Sequence, residues 1–220
     1  MLSPAEFSEI EAILDAVHGP QRWYRHGDPL DELVATVLSQ HTSDINTARA
    51  FASLKAAFPT WVGVVDAPTP EVADAIRCGG LANTKAPRIQ NILEEVADRL
   101  GDFDLSIVEE MEMADAREFL TSLPGVGPKT AACVLLFSLG LPAMPVDTHV
   151  HRIARRTGMI PIRATADQAH DLLEARLGED RDRVYAMHMN LIAHGKRVCH
   201  ARSPQCGSCA IASLCERHDV

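Results

Sequence analysis

Aromatic residues are scarce: six Phe, two Trp and two Tyr make up 5% of 220 residues. Runs of β-branched residues are scarce as well, and no stretch alternates apolar and polar as half-buried strands do. Ala and Leu are abundant, so the composition predicts an all-α chain. An excess of positive charge is also missing, since 21 Lys and Arg face 30 Asp and Glu for a net charge of −9. That excludes a polycation that coats nucleic acid and leaves only local basic patches for such a contact. The most apolar stretch, 131–146, is interrupted by Pro142 and Pro145. It falls short of the roughly 20 residues that a membrane-spanning helix needs. The N-terminal MLSPAEFSEIEAI is acidic and amphipathic, with no basic leader or small-residue cleavage site, which predicts a cytoplasmic chain. There is no internal repeat and no low-complexity linker. With 46% apolar and 23% charged residues, disorder and fibrous repeats are excluded.

Helix starts are plentiful. Ser3-Pro4-Ala5-Glu6 and Thr165-Ala166-Asp167-Gln168 read as capping boxes, and Asp28-Pro29 and Thr69-Pro70 as a cap followed by a first-turn proline. Apolar faces recur at Phe7, Ile10, Leu14 and Val17; at Leu30, Val34, Val37 and Leu38; at Ile89, Ile92, Leu93 and Val96; and at Leu172, Leu173 and Leu177. Short helices joined by Gly/Pro turns predict a compact helical fold. Charge is uneven along it. Seven acids lie between Asp102 and Glu118 against Arg117 alone, whereas Arg181, Arg183, Lys196, Arg197 and Arg202 face only Asp182. Arg152, Arg155, Arg156 and Arg163 add a second basic group. An acidic back with a basic front and two ordinary solvated helix faces fit these counts equally.

Four of the six cysteines sit at Cys199, Cys206, Cys209 and Cys215. Thiolates so close in sequence, in a chain with no secretory signal, point to a metal centre. A single C-x-x-C flanked by longer gaps fits a four-thiolate iron–sulfur cluster better than the paired units of zinc ribbons. Cys78 and Cys133 stand in apolar surroundings and read as small buried hydrophobes. His149, His151, His188 and His194 read as core-satisfied or partly exposed rather than as a zinc site, and Trp23 and Trp61 as packing residues.

The segment Leu123-Pro124-Gly125-Val126-Gly127-Pro128-Lys129-Thr130-Ala131 joins two helical stretches. Its glycines permit a tight turn, Pro128 opens the next helix, and the free amides there suit an anion such as a DNA phosphate. Taken alone, the pattern fits a plain helix–helix turn equally well. Lys129 falls at the helix start, where the dipole disfavours an ammonium and so favours the nucleophilic amine; a lysine that merely reaches solvent is the plainer reading. Asp147, eighteen positions later in Val146-Asp147-Thr148-His149-Val150, either caps a helix or meets an oxocarbenium ion in glycosidic cleavage.

Together the hairpin LPGVGPKTA, the VDTHV segment and the Cys-x6-Cys-x2-Cys-x5-Cys tail resemble endonuclease III, a helix-hairpin-helix DNA glycosylase family of base-excision repair. The resemblance is colinear from about residue 28 to 217. It implies two helical domains: a six-helix barrel over 29–141, and a discontinuous domain of 1–28 and 142–220 that holds a [4Fe-4S] cluster. It implies Lys129 as catalytic nucleophile, Asp147 as catalytic carboxylate and the four clustered cysteines as ligands. Gly125, Val126 and Gly127 match the phosphate-binding hairpin, and Leu81 in Gly80–Lys85 the wedge residue. Thr148, His149 and Lys196 join them as expected DNA contacts. In Leu38–Asp44 the family's gap-filling glutamine aligns with His41, with Gln40 one residue earlier, and either fits the role. The partner implied is duplex DNA bearing damaged bases or abasic sites, bound by a monomer. The reaction implied is removal of an oxidised pyrimidine through a Lys129 Schiff base, followed by β-elimination. A monofunctional glycosylase for a mismatched or alkylated base, and a non-catalytic DNA-binding module, are the alternatives.

Overall fold

The computed structural model describes all of residues 1–220, which form eleven α-helices and no strand. The chain divides into two compact units, Arg25–Leu139 and a discontinuous one of Met1–Tyr24 with Gly140–Val220. The first unit begins four residues ahead of Pro29 because His26 is held to it. The His26 N–H donates to the Phe137 carbonyl at 3.0 Å, and its ring stacks on that of Phe137.

The Arg25–Leu139 unit contains α2 (Pro29–Ser39), α3 (Asp44–Ala57), α4 (Trp61–Asp66), α5 (Thr69–Ala75), α6 (Ala82–Leu100), α7 (Met113–Ser122) and α8 (Pro128–Cys133). Leu30, Val34, Val37 and Leu38 of α2 are buried, as are Ile89, Ile92, Leu93 and Val96 of α6. Each such side chain contributes roughly 1.5–3 kcal/mol of transfer free energy. After α8 the chain passes into a π-helical turn, Val134–Ser138, wholly buried, and then leaves regular structure where Pro142 and Pro145 remove backbone donors. The discontinuous unit contains α1 (Pro4–His18), α9 (Thr148–Thr157), α10 (Ala166–Leu177) and α11 (Arg181–Arg197). In it α11 packs against both α1 and α9. The Arg183 guanidinium grips both Glu11 carboxylate oxygens at 2.7 and 2.6 Å, tying the N-terminal helix to the C-terminal half.

Three local expectations need correction. Val17 is 49% exposed, because α1 has turned that position out of its Phe7–Ile10–Leu14 face. Thr69 is the first residue of α5 rather than its cap; its hydroxyl bonds the Gln90 side chain at 2.7 Å instead. Cys78 is exposed, in a 3-10 turn over Arg77–Gly79, while Cys133 is buried. No helix is long and apolar enough to cross a membrane.

Candidate nucleic-acid interface and metal centre

In the Arg25–Leu139 unit the hairpin ends α7 and starts α8. Gly125 has φ of +75°, a left-handed conformation that glycine adopts without strain. A Cβ there would stand 2.7 Å from Arg88 Cδ and Nε. The Val126 side chain is buried and its N–H closes the turn onto the Leu123 carbonyl at 3.1 Å, whereas Gly125 and Gly127 do not spend their N–H groups within the chain. Lys129 is half-buried at the second residue of α8, and its charge acts on Glu32 of α2.

Two non-glycine residues of this unit have positive φ: His41 at +56° and Leu81 at +51°. Both are exposed, Leu81 by 55%, although a leucine gains by burial. Each left-handed residue costs roughly 1–2 kcal/mol, a cost that concentrates at functional positions. Gln40 behaves differently: its Oε1 accepts a bond from Arg88 Nη1 at 2.8 Å, so the side chain is held against the arginine that also lies on Gly125.

Beneath these loops lies a residue whose role the sequence did not reveal. Lys85, 2% exposed, donates its Nζ to the Leu38 carbonyl at 2.7 Å and to the Gly79 carbonyl at 2.9 Å. One ammonium therefore fixes the ends of the segments that present His41 and Leu81. Burial lowers its pKa, yet the two carbonyl bonds supply the partners that a buried cation requires.

In the discontinuous unit, Asp147 caps α9, accepting the Val150 N–H at 2.7 Å. Thr148 is exposed and His149 half-buried beside Arg152. Arg152 donates to the carbonyls of Thr148 at 3.2 Å and Cys199 at 2.9 Å, so α9 and the cysteine loop are joined through it. Lys196 is exposed in the last turn of α11. His188 and His194 are buried, with His188 Nδ1 2.9 Å from the Pro145 carbonyl, in accord with the expectation that they are core-satisfied.

Cys199, Cys206, Cys209 and Cys215 line one recess of about 330 Å³ including its mouth, closed by Ile153, Val198 and Ile211. The nearly buried Arg156 reaches the His200 carbonyl at 2.7 Å and lies 3.5 Å from Cys199 Sγ. Burial pushes the Cys209 and Cys215 thiols up, and the neighbouring cysteines push them further. Four thiolates therefore require a compensating positive centre. Four sulfurs around an open recess suit a polynuclear cluster, and these residues fit it.

A helical fold with this hairpin and this four-cysteine centre defines a class, and the comparisons agree with it. Residues 34–179 match the model of the HhH-GPD superfamily base excision DNA repair protein, and residues 199–215 that of the iron–sulfur binding domain of endonuclease III. Endonuclease III of Sulfolobus acidocaldarius is 34% identical over 188 residues, covering 84% of this chain and 80% of that protein. A candidate DNA glycosylase of Arabidopsis thaliana is 40% identical over 170 residues, 77% of this chain; the chain spans 57% of the plant protein's length. A solved endonuclease III–DNA covalent intermediate superposes with a TM-score of 0.83 at 28% identity, covering 99% of this chain and 97% of that one. The chain belongs to the endonuclease III family of the HhH-GPD superfamily. It is thus a base-excision-repair DNA glycosylase with a [4Fe-4S] cluster, and the cysteines of 199–215 fit that group.

Proposed function

We propose that this enzyme removes oxidised pyrimidines from duplex DNA and cuts the strand through a covalent intermediate on Lys129. In this reading the free amine of Lys129 attacks C1′ of the damaged nucleotide, and the base departs with a proton. The sugar ring opens to an iminium on Nζ. Loss of a C2′ proton then expels the 3′ phosphate by β-elimination, and water releases the lysine. The Asp147 carboxylate stabilises the positive charge that develops on the sugar. The observation that carries the reading is Lys129 itself: a half-buried amine one residue inside the helix that leaves the hairpin. The solved covalent intermediate of the 28% identical endonuclease III supports it by analogy.

The other contacts follow. Gly125 and Gly127 offer amides to a phosphate, while Val126 shapes the turn. Leu81 is the wedge, supported by its exposure in a left-handed conformation. His41 rather than Gln40 fills the gap left by the flipped base, because Gln40 is engaged by Arg88 whereas His41 is exposed. Thr148, His149 and Lys196 meet the backbone. Cys199, Cys206, Cys209 and Cys215 hold the cluster, which when bound orders the loop they form. The enzyme acts as a monomer in the cytoplasm. Borohydride trapping on an oxidised-pyrimidine duplex tests this: wild type yields a covalent adduct and Lys129→Gln yields none. An adduct with Lys129→Gln removes the nucleophile assignment, and base release without any adduct in wild type favours the monofunctional reading.

A further inference from the structure

Residues 85 and 88 are three apart in α6 and so share one face of that helix. On this face Lys85 is bound to two backbone carbonyls, but Arg88 is not used up in the same way. Its guanidinium is half-buried, and Nη1 reaches the Gln40 Oε1 at 2.8 Å. That is its one hydrogen bond to the chain, and no carboxylate pairs with it. Nε and Nη2 stay unbonded, and neither is sealed from solvent. The stem of the same side chain lies on the hairpin. A Cβ at Gly125 would stand 2.7 Å from Arg88 Cδ and Nε and 3.2 Å from Cζ, so a side chain at 125 would displace the arginine. Gly125 thus serves two constraints, the left-handed φ of +75° and the seat of Arg88. Nε and Nη2 form one edge of the guanidinium plane, and two parallel N–H bonds from such an edge match a phosphate. This edge has no anion to balance it, and it lies beside a turn whose Gly125 and Gly127 amides are also unspent. A half-buried cation without an anion is unfavourable in the free protein, and a bound anion relieves it.

We propose that Arg88 is a further DNA-binding residue: Nε and Nη2 donate to a backbone phosphodiester beside the one received by the hairpin amides, while Nη1 holds Gln40 in place. The contact adds one phosphate to the footprint and carries no sequence information. The inference rests on the hairpin amides binding a phosphate.

Anisotropy titration of a duplex bearing a non-cleavable abasic analogue, repeated from about 50 to 200 mM salt, tests it. Arg88→Met keeps the stem that lies on Gly125 and removes the charge. It should reduce the slope of log affinity against log salt by about 1 and weaken binding roughly 5- to 10-fold near 0.15 M salt. Arg88→Gln, a second neutral replacement, should do the same. Arg88→Lys should keep the slope and recover part of the affinity, since it offers a point charge in place of the fork. Gln40→Ala removes the partner but not the cation, so its slope should match wild type. Arg99→Met controls for net charge. Arg99 stands about 16 Å further along α6, beyond a Debye length of about 8 Å, and pairs with Glu95 at 2.7 Å. Its slope should also match wild type. A wild-type slope in either neutral Arg88 variant overturns the proposal even where affinity falls, because a purely structural role weakens binding without changing the number of counterions released. An equal loss of slope in Arg99→Met overturns it too. Gly127→Ala separates the two claims. Gly127 has φ of −93° and open space where a Cβ would go, so the variant folds, but a methyl there obstructs a phosphate. If Gly127→Ala binds as wild type does, the hairpin reading fails; if it binds weakly while Arg88→Met is normal, only the role of Arg88 fails.

Discussion

Replacing Lys85 with Met probes how the DNA-facing segments are held. Methionine keeps the length and apolar bulk of the stem but removes the ammonium. The two bonds lost, to Leu38 O at 2.7 Å and Gly79 O at 2.9 Å, are charge-assisted. Such bonds are worth roughly 1.5–3 kcal/mol each, and both carbonyls are left without a partner. Relief of the ammonium's desolvation offsets part of this. The net expectation is a loss of about 1–3 kcal/mol, or roughly 3–12 °C in the melting temperature of the Arg25–Leu139 unit. The pH dependence adds a second test. The folded pKa of Lys85 is lowered, so in the alkaline window between it and the ordinary lysine value the unfolded chain binds more protons than the native one. Wild-type stability therefore gains with rising pH across that window, and the advantage over Lys85→Met grows there. Calorimetry across pH, with amide exchange at residues 38–43 and 79–82, reads both effects. Equal melting temperatures and equal protection of these segments in the two proteins would refute the reasoning.

Other consequences are as direct. Leu81→Gly relieves a left-handed leucine, so it should stabilise the protein by about 1 kcal/mol while weakening affinity for lesion duplex at least several-fold; calorimetry and anisotropy titration measure the pair. His41→Ala should weaken binding of a flipped-base analogue more than Gln40→Ala does, and the reverse order would return the gap-filling role to Gln40. Oxidative removal of the iron–sulfur cluster should bleach the protein's visible colour and expose amides of 199–215 to exchange, while leaving those of the Arg25–Leu139 core protected. Because the chain's net charge is −9, its DNA affinity should fall with salt, but less steeply than for strongly basic proteins.

What the sequence discloses and what it hides divide along physical lines. Helix caps were legible because a cap bonds residues two or three positions away; Ser3, Asp28 and Thr165 all cap as their sequences indicate. Apolar faces were legible for the same local reason, except where a helix ends at solvent, as at Val17. The cysteine spacing disclosed a metal centre and already favoured a cluster over zinc; the structure adds that the four cysteines, up to sixteen positions apart, line one recess. Lys85 and Arg88 were not legible. Lys85 bonds Leu38, 47 positions away, and Arg88 bonds Gln40, 48 away. A lysine beside the glycine-rich loop looks solvent-bound until the fold closes over it. Thr69 was misassigned because its hydroxyl had a tertiary alternative, Gln90, to capping.

The central claim is that one amine carries the covalent chemistry. Peptide mapping by mass spectrometry of the borohydride-trapped DNA adduct addresses it most directly. The account predicts a single modified peptide spanning the hairpin, with the deoxyribose remnant on Lys129. A remnant on another lysine or on the N-terminal amine, with Lys129 unmodified, would contradict it.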